Sequence, residues 1–290
     1  MSEREEAKIR EQDLKKRFEL YLDEQLEAQP ASRLSQAMRY SLMAPGKRIR
    51  PRLLFAGLEA YGLPPETGFP AAAAIEMIHT YSLIHDDMPE MDNDDMRRGR
   101  LTCHRRFGAD TALLAGDALQ SLAFETLAKT VDPTKIPALL ALSAEMAGPK
   151  GMCYGQDLDL QAKGNTTLQE LETIEAYKTG CLLALPLASA AILAGHEEDA
   201  ETWREIGRLL GIQFQIQDDI LEKTSSPEIM GKSLSDARND KATALSLFGL
   251  EEARSKVFEY GAAITNLLET LSLEDQSLRE LIEAMQYRTR

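Results

Sequence analysis

Apolar residues recur at helical spacing along almost all of this 290-residue chain, and no run shows convincing strand alternation. That regularity limits the fold more than anything else in the sequence. Leu, Ala, Glu, Met and Gln are abundant and β-branched clusters are rare, so propensity favours helix as well. The spacing predicts helices over 4–28, 32–43, 50–61, 69–88, 93–96, 109–129, 135–147, 151–162, 168–194, 198–223, 241–271 and 277–287. Pro30, Pro45, Pro64, Pro65, Pro89, Pro133, Pro149 and Pro227 punctuate the chain between these segments. No Gly/Ser linker, fixed-period repeat or shift of composition divides it. The expectation is an all-α fold in one domain over 1–290, a bundle of long helices about one apolar centre.

A formal net charge of −14 argues against a general nucleic-acid or anionic-membrane surface and makes any basic cluster conspicuous. Cys103, Cys153 and Cys181 are too few and too scattered for a disulfide framework or a zinc site. The opening MSEREEAKIREQDLKKRF is charged and helix-like, without the apolar core of a secretory signal. The most apolar stretch, Cys181 to Gly195, is too short to span a bilayer and contains Pro186. A reduced, soluble, cytoplasmic protein with no integral membrane span is expected.

Two acidic clusters stand out. IHDDMPEMDNDDMRRGR places six carboxylates within ten residues and three arginines directly behind them. The helix from Ala71 to Asp87 puts Ala71, Ala74, Ile75, Ile78, Ser82 and His85 on one stripe and ends at Asp86 and Asp87. Asp92 lies six positions past Asp86, about 240° around an ideal helix, so an undistorted helix would separate them. A two-residue bulge near Pro89 would restore an effective i, i+4 relation and let Asp86, Asp87 and Asp92 converge. In FQIQDDILEK, Asp218 and Glu222 are i, i+4 neighbours with Asp219 beside them. Convergent carboxylates repel unless a cation neutralises them, and their hard oxygens suit Mg²⁺. Each cluster alone also reads as a solvated acidic helix end.

Other metal motifs run out of ligands. An EF-hand starting at Asp92 fails because Arg97 holds its sixth position and Cys103 its twelfth. Glu76 and His79 have no second Glu-x-x-His pair, as a di-iron bundle requires, and four histidines are too few for a metal phosphohydrolase. Basic residues lie near both acidic clusters. Gly46-Lys47-Arg48-Ile49-Arg50 precedes a helix, Arg97, Arg98 and Arg100 follow the first cluster, and Lys178 with Thr179 stands in YKTG. Lys232 and Lys241 follow the second. Together with the acids they suggest a polyphosphate site.

These residues resemble a known family. IHDDMPEMDNDDMRRG is similar to the first aspartate-rich motif of the trans-prenyl diphosphate synthases, and FQIQDDILEKTSSPEIMGK to the second. GKRIRP, GMCYGQDLDL, YKTG and NDKAT resemble the landmarks between and after them, in order, from about residue 32 onward. The nearest likeness is to the bacterial farnesyl type. The resemblance implies helices around a deep central cavity, as in isoprenoid synthases, and a homodimer. It implies that Asp86, Asp87, Asp92 and Asp218, with Asp219 and Glu222 nearby, ligate Mg²⁺, three ions per site, with Mn²⁺ able to substitute. Arg97, Lys178, Lys232 and Lys241 would bind the allylic diphosphate. Gly46, Lys47, Arg50, His79 and Arg98 would bind isopentenyl diphosphate, while Thr179 and Gln215 line the reacting centre. Arg97 and Arg98 are expected to face two different diphosphates rather than to neutralise the acids.

The implied chemistry is ionisation of the allylic diphosphate, attack by the isopentenyl double bond and loss of a proton, so no nucleophile or triad is needed. Tyr81 and Ser82, one turn deeper than Asp86, would form the floor that sets a C15 product, with C10 and C20 as alternatives. The sequence departs from the family in Ala44-Pro45-Gly46, in Glu222, in the short KSLSDARNDK loop and in Ala244. A class I terpene cyclase would need an acid where Leu247 stands. A non-catalytic subunit would be expected to have lost the acids that this chain keeps.

Overall fold

The computed structural model describes residues 3–224 and 244–286. The architecture is all-α, and its helices follow the predicted segments closely. They are α1 (Glu3–Glu27), α2 (Arg33–Leu42), α3 (Ile49–Ala60), α4 (Phe69–Asp86), α5 (Cys103–Phe107), α6 (Ala109–Leu127) and α7 (Ile136–Ala147). There follow α8 (Met152–Gln161), α9 (Leu168–Glu175), α10 (Cys181–Ala194), α11 (Ala200–Thr224), α12 (Ala244–Glu269) and α13 (Ser277–Gln286).

Helix α4 is central. Pro70 sits in its first turn, where a missing N–H is harmless, and its buried residues run from Pro70 through Ile78 and on to Thr80, Tyr81 and Ile84. That burial is wider than the single stripe expected, because α4 is enclosed rather than laid on a surface. It packs on α6, α3 and α10, with Gly116 of α6 leaving room for His85: a Cβ there would sit 2.0 Å from His85 Nε2. The main core also takes in Phe18, Leu22, Leu54, Leu58 and fully buried Trp203, whose indole N–H donates to Tyr61 Oη at 2.8 Å. A smaller cluster, with Ile212, Ile216 and Val257, joins α11 to α12.

Four expectations need correction. The segment 93–96 is not helical: positive φ at Asn93 and Arg98 leads into a hairpin of two-residue strands, Met96–Arg97 and Arg100–Leu101. Its two-residue turn, Arg98-Gly99, has φ of 53° and 71°, the pattern a tight hairpin turn needs. Cys103–Phe107 forms a short helix that the periodicity did not suggest. The predicted 168–194 helix is interrupted by a π turn at Ala176–Gly180. Helix α12 breaks at Gly249, whose φ of 78° only glycine adopts readily.

The π turn is gripped by backbone on both sides. A Cβ at Gly155 of α8 would lie 2.1 Å from Lys178 N, and one at Gly211 of α11 would lie 2.4 Å from Gly180 Cα. The Leu168–Ala194 run is long and apolar enough to cross a membrane by length and composition, yet most of it is buried in the fold. Because the atoms it meets are backbone, Gly211→Ala is expected to destabilise the protein by about 1–3 kcal/mol, read as a lower urea midpoint at unchanged slope.

Candidate active site

Pro89 ends α4, and the chain then closes a loop wider than a helical turn. The Asp92 N–H donates to Asp86 O at 2.9 Å and the Asn93 N–H to Met88 O at 3.0 Å. A bond reaching six residues back instead of four contains two extra residues, which brings the backbones of Asp86 and Asp92 together. Among the described residues no group of three or more His, Cys, Asp or Glu is arranged to hold a metal ion. Carboxylates repel one another, and groups from other elements take up their oxygens. Asp86 Oδ1 accepts Gln156 Nε2 at 2.8 Å, with Lys178 Nζ 3.9 Å away, while Asp219 Oδ2 accepts the Ala244 N–H at 2.8 Å.

Arg97 departs from expectation. Its Nε and Nη2 lie 2.7 and 2.6 Å from Asp87 Oδ1, so it neutralises an acid directly. The hairpin causes this by folding Arg97 back over the end of α4. Asp87 is buried, and burial pushes its carboxyl up to about 6 even though Arg97 pulls it down; Asp86 and Asp94 add to the rise.

Beside these acids opens a cavity of about 790 Å³. Asp86 and Asp218 line it, with Gly46, Lys47, Arg50, His79, Arg97, Arg98, Lys178, Thr179 and Gln215. Tyr81 and Ser82 lie on its wall among Met152, Leu182, Leu183 and Phe214. Asp87, Asp92 and Asp219 are not on the lining. Lys232 and Lys241 lie outside the described residues, as does the side chain of Glu222.

The basic wall has its own internal balance. Arg48, with a left-handed φ of 48°, turns inward: Nη1 donates to Glu76 Oε1 at 2.9 Å and Nε to Glu19 Oε1 at 2.8 Å. The flanking Lys47 and Arg50 both reach the cavity. Arg50 Nε is buried without a partner, and burial lowers its guanidinium to about 10 despite Glu76. His79 is pushed well down by burial and by Arg50, Arg98, Arg97 and Arg48, so its imidazole is neutral. Burial would lower Lys178 too, but Asp86 and Asp159 overcome it, with Asp159 Oδ2 accepting from Nζ at 2.7 Å. Glu76, Gln156 and Asp159 carry no individual site role in the sequence analysis. Their signal is the partner each meets from another helix, which no spacing records.

The profile of the polyprenyl synthetase family matches residues 31–285. The chain belongs to the polyprenyl synthetase family. It is 45% identical over 255 residues to a farnesyl diphosphate synthase of Micrococcus luteus, covering 87% of this chain and 88% of that protein. An FPP/GFPP synthase from Zymomonas mobilis superposes with a TM-score of 0.82 at 34% identity over 98% of both chains. A geranyltransferase from Helicobacter pylori, complexed with magnesium and isoprenyl diphosphate, gives 0.79 at 32% identity over 93% of each. As a polyprenyl synthetase, the chain is a prenyltransferase that elongates prenyl chains. The donor set fits the metal such a family uses: Asp86 and Asp218 reach one cavity from different helices, and every acid beside them offers hard oxygen.

The Asp87–Arg97 pair yields a pH test. Below about pH 6 Asp87 is protonated and does not need a cation, whereas above it the carboxylate depends on Arg97. Arg97→Ala is therefore expected to destabilise the protein by roughly 1–3 kcal/mol at about pH 8 and by clearly less at about pH 5, measured by urea unfolding.

Proposed function

We propose that the chain condenses isopentenyl diphosphate with dimethylallyl and geranyl diphosphates, releasing diphosphate and yielding farnesyl diphosphate (C15). What carries the reading is one cavity with acids and cations together on its wall and an apolar remainder. Its volume, about 790 Å³, is ample for a small-molecule substrate pair.

In this reading Asp86, Asp87, Asp92 and Asp218, with Asp219 and Glu222, hold Mg²⁺, three ions per site, with Mn²⁺ able to substitute. Bound Mg²⁺ supplies neutralising charge to the departing diphosphate. Arg97, Lys178, Lys232 and Lys241 bind the allylic diphosphate, and Arg97 must then share itself with Asp87. Lys47, Arg50 and Arg98 bind isopentenyl diphosphate, to which neutral His79 offers an N–H. Gly46 leaves room for Arg98, since a Cβ there would lie 2.8 Å from Nη1. Thr179 and Gln215 face the reacting carbons. The apolar wall excludes water while the allylic cation forms, the isopentenyl double bond attacks it, and the departing diphosphate takes the proton lost.

The continuous main core supports reading 1–290 as one domain. A cytoplasmic homodimer without a membrane span completes the proposal.

Incubation with Mg²⁺, isopentenyl diphosphate and C5, C10 or C15 allylic diphosphates, followed by mass analysis, is expected to give a C15 product. No turnover with any partner would overturn the reading, and a cyclised hydrocarbon would point to a class I terpene cyclase. Tyr81, buried with its Oη near Gln120 and Cys153 but in hydrogen-bond geometry with neither, closes part of the wall. Tyr81→Ala is expected to lengthen the product toward C20; an unchanged C15 product would remove Tyr81 from the floor.

A further inference from the structure

Glu175 closes α9 one residue before the π turn and belongs to none of the ligand sets above. Its Oε2 accepts the Thr179 hydroxyl at 3.3 Å across that turn. The charged and titratable groups facing it are Lys178 on the same turn, Asp159 from α8 and Asp219 from α11. Burial pushes its carboxyl up to about 8, Lys178 opposes the rise, and Asp159 and Asp219 add to it. Near neutral pH it is therefore an uncharged acid in a charged corner.

The turn it braces has a specific effect. One extra residue in a turn rotates the helix faces on either side by about 100° relative to each other. Lys178 and Thr179 lie within the turn and share the cavity wall with Leu182 and Leu183 of α10, their i+4 neighbours. From outside, the turn is held by its backbone contacts with Gly155 and Gly211. From inside, the Glu175–Thr179 hydrogen bond spans it.

We propose that Glu175 is a positioning residue for the condensation: its carboxyl holds the Thr179 hydroxyl inside the π turn and so aligns the Thr179–Lys178 pair toward the allylic substrate. The proposal rests on the prenyltransferase reading given above.

The test compares wild type, Glu175→Gln and Glu175→Ala with isopentenyl and geranyl diphosphates and Mg²⁺, taking kcat and both KM values. Glu175→Ala is expected to lose roughly tenfold in kcat/KM for geranyl diphosphate, with the isopentenyl KM within about twofold of wild type. Glu175→Gln, which keeps an oxygen acceptor without a titratable proton, is expected to recover most of that loss. Wild-type kinetics in Glu175→Ala, an equal loss toward both substrates, or a Glu175→Gln variant no better than Glu175→Ala would overturn the proposal. If circular dichroism shows that Glu175→Ala does not fold, Glu175→Leu, which fills a similar volume without an acceptor, takes its place against Glu175→Gln. A wild-type protein inert with every allylic diphosphate overturns the proposed function and this inference with it; an active protein indifferent to Glu175 overturns only the inference.

Discussion

The buried ion pair between Arg48 and Glu76 is the interaction on which the rest of the site depends. Glu76 lies within α4, and Arg48 caps the start of α3. Neither charge is tolerable in the interior alone, and removing one partner of such a pair typically costs about 3–5 kcal/mol. Glu19 of α1 adds a second carboxylate, so three helices meet at one guanidinium. With Arg48 tied to Glu76 and Glu19 where it lines the cavity, its neighbours Lys47 and Arg50 line the same wall. Glu76 also supplies the counter-charge that lets Arg50 and Arg98 stand beside it.

A similar division holds at the acidic side. The six carboxylates of the first cluster do not act as a block. Asp87 is matched by Arg97, Asp95 by Arg105 at 2.8 Å, and Asp86 by Gln156 with Lys178 near it. Every one of these partners belongs to an element other than α4. The cavity wall itself carries acids and bases together, within a protein whose net charge is −14. Diphosphate groups are attracted by that local arrangement, which the net charge conceals.

Much of this was legible beforehand, for identifiable reasons. The bulge after Asp86 follows from Pro89, whose missing N–H prevents a regular turn, and the Asp92–Asp86 backbone bond has the reach that two extra residues require. The helices of the bundle follow from periodic burial against one core. Where the reading failed, a local signal was weak or absent. The helix expected over 93–96 gives way to the approach to a hairpin at 96–101, whose strands are too short to show alternation; Arg98-Gly99 is its sequence sign. Arg97 was read as a diphosphate ligand alone because its sequence neighbours do not reveal that the hairpin returns it to Asp87.

The sequence by itself determined the all-α class, the helix order, the break after α4 and the residue types of the site, because these depend on propensity, proline chemistry and spacing within a few residues. Tertiary structure decided which groups share charge and which face the cavity. The π turn is held between Gly155 and Gly211, from two other helices, and its Lys178 and Thr179 stand on the cavity wall with Leu182 and Leu183. Glu76 and Arg48, Gln156 and Asp86, and Asp159 and Lys178 pair between different elements. The physical reason is that charge balance in a buried site is settled by distance through space, and distance through space is not written in residue spacing.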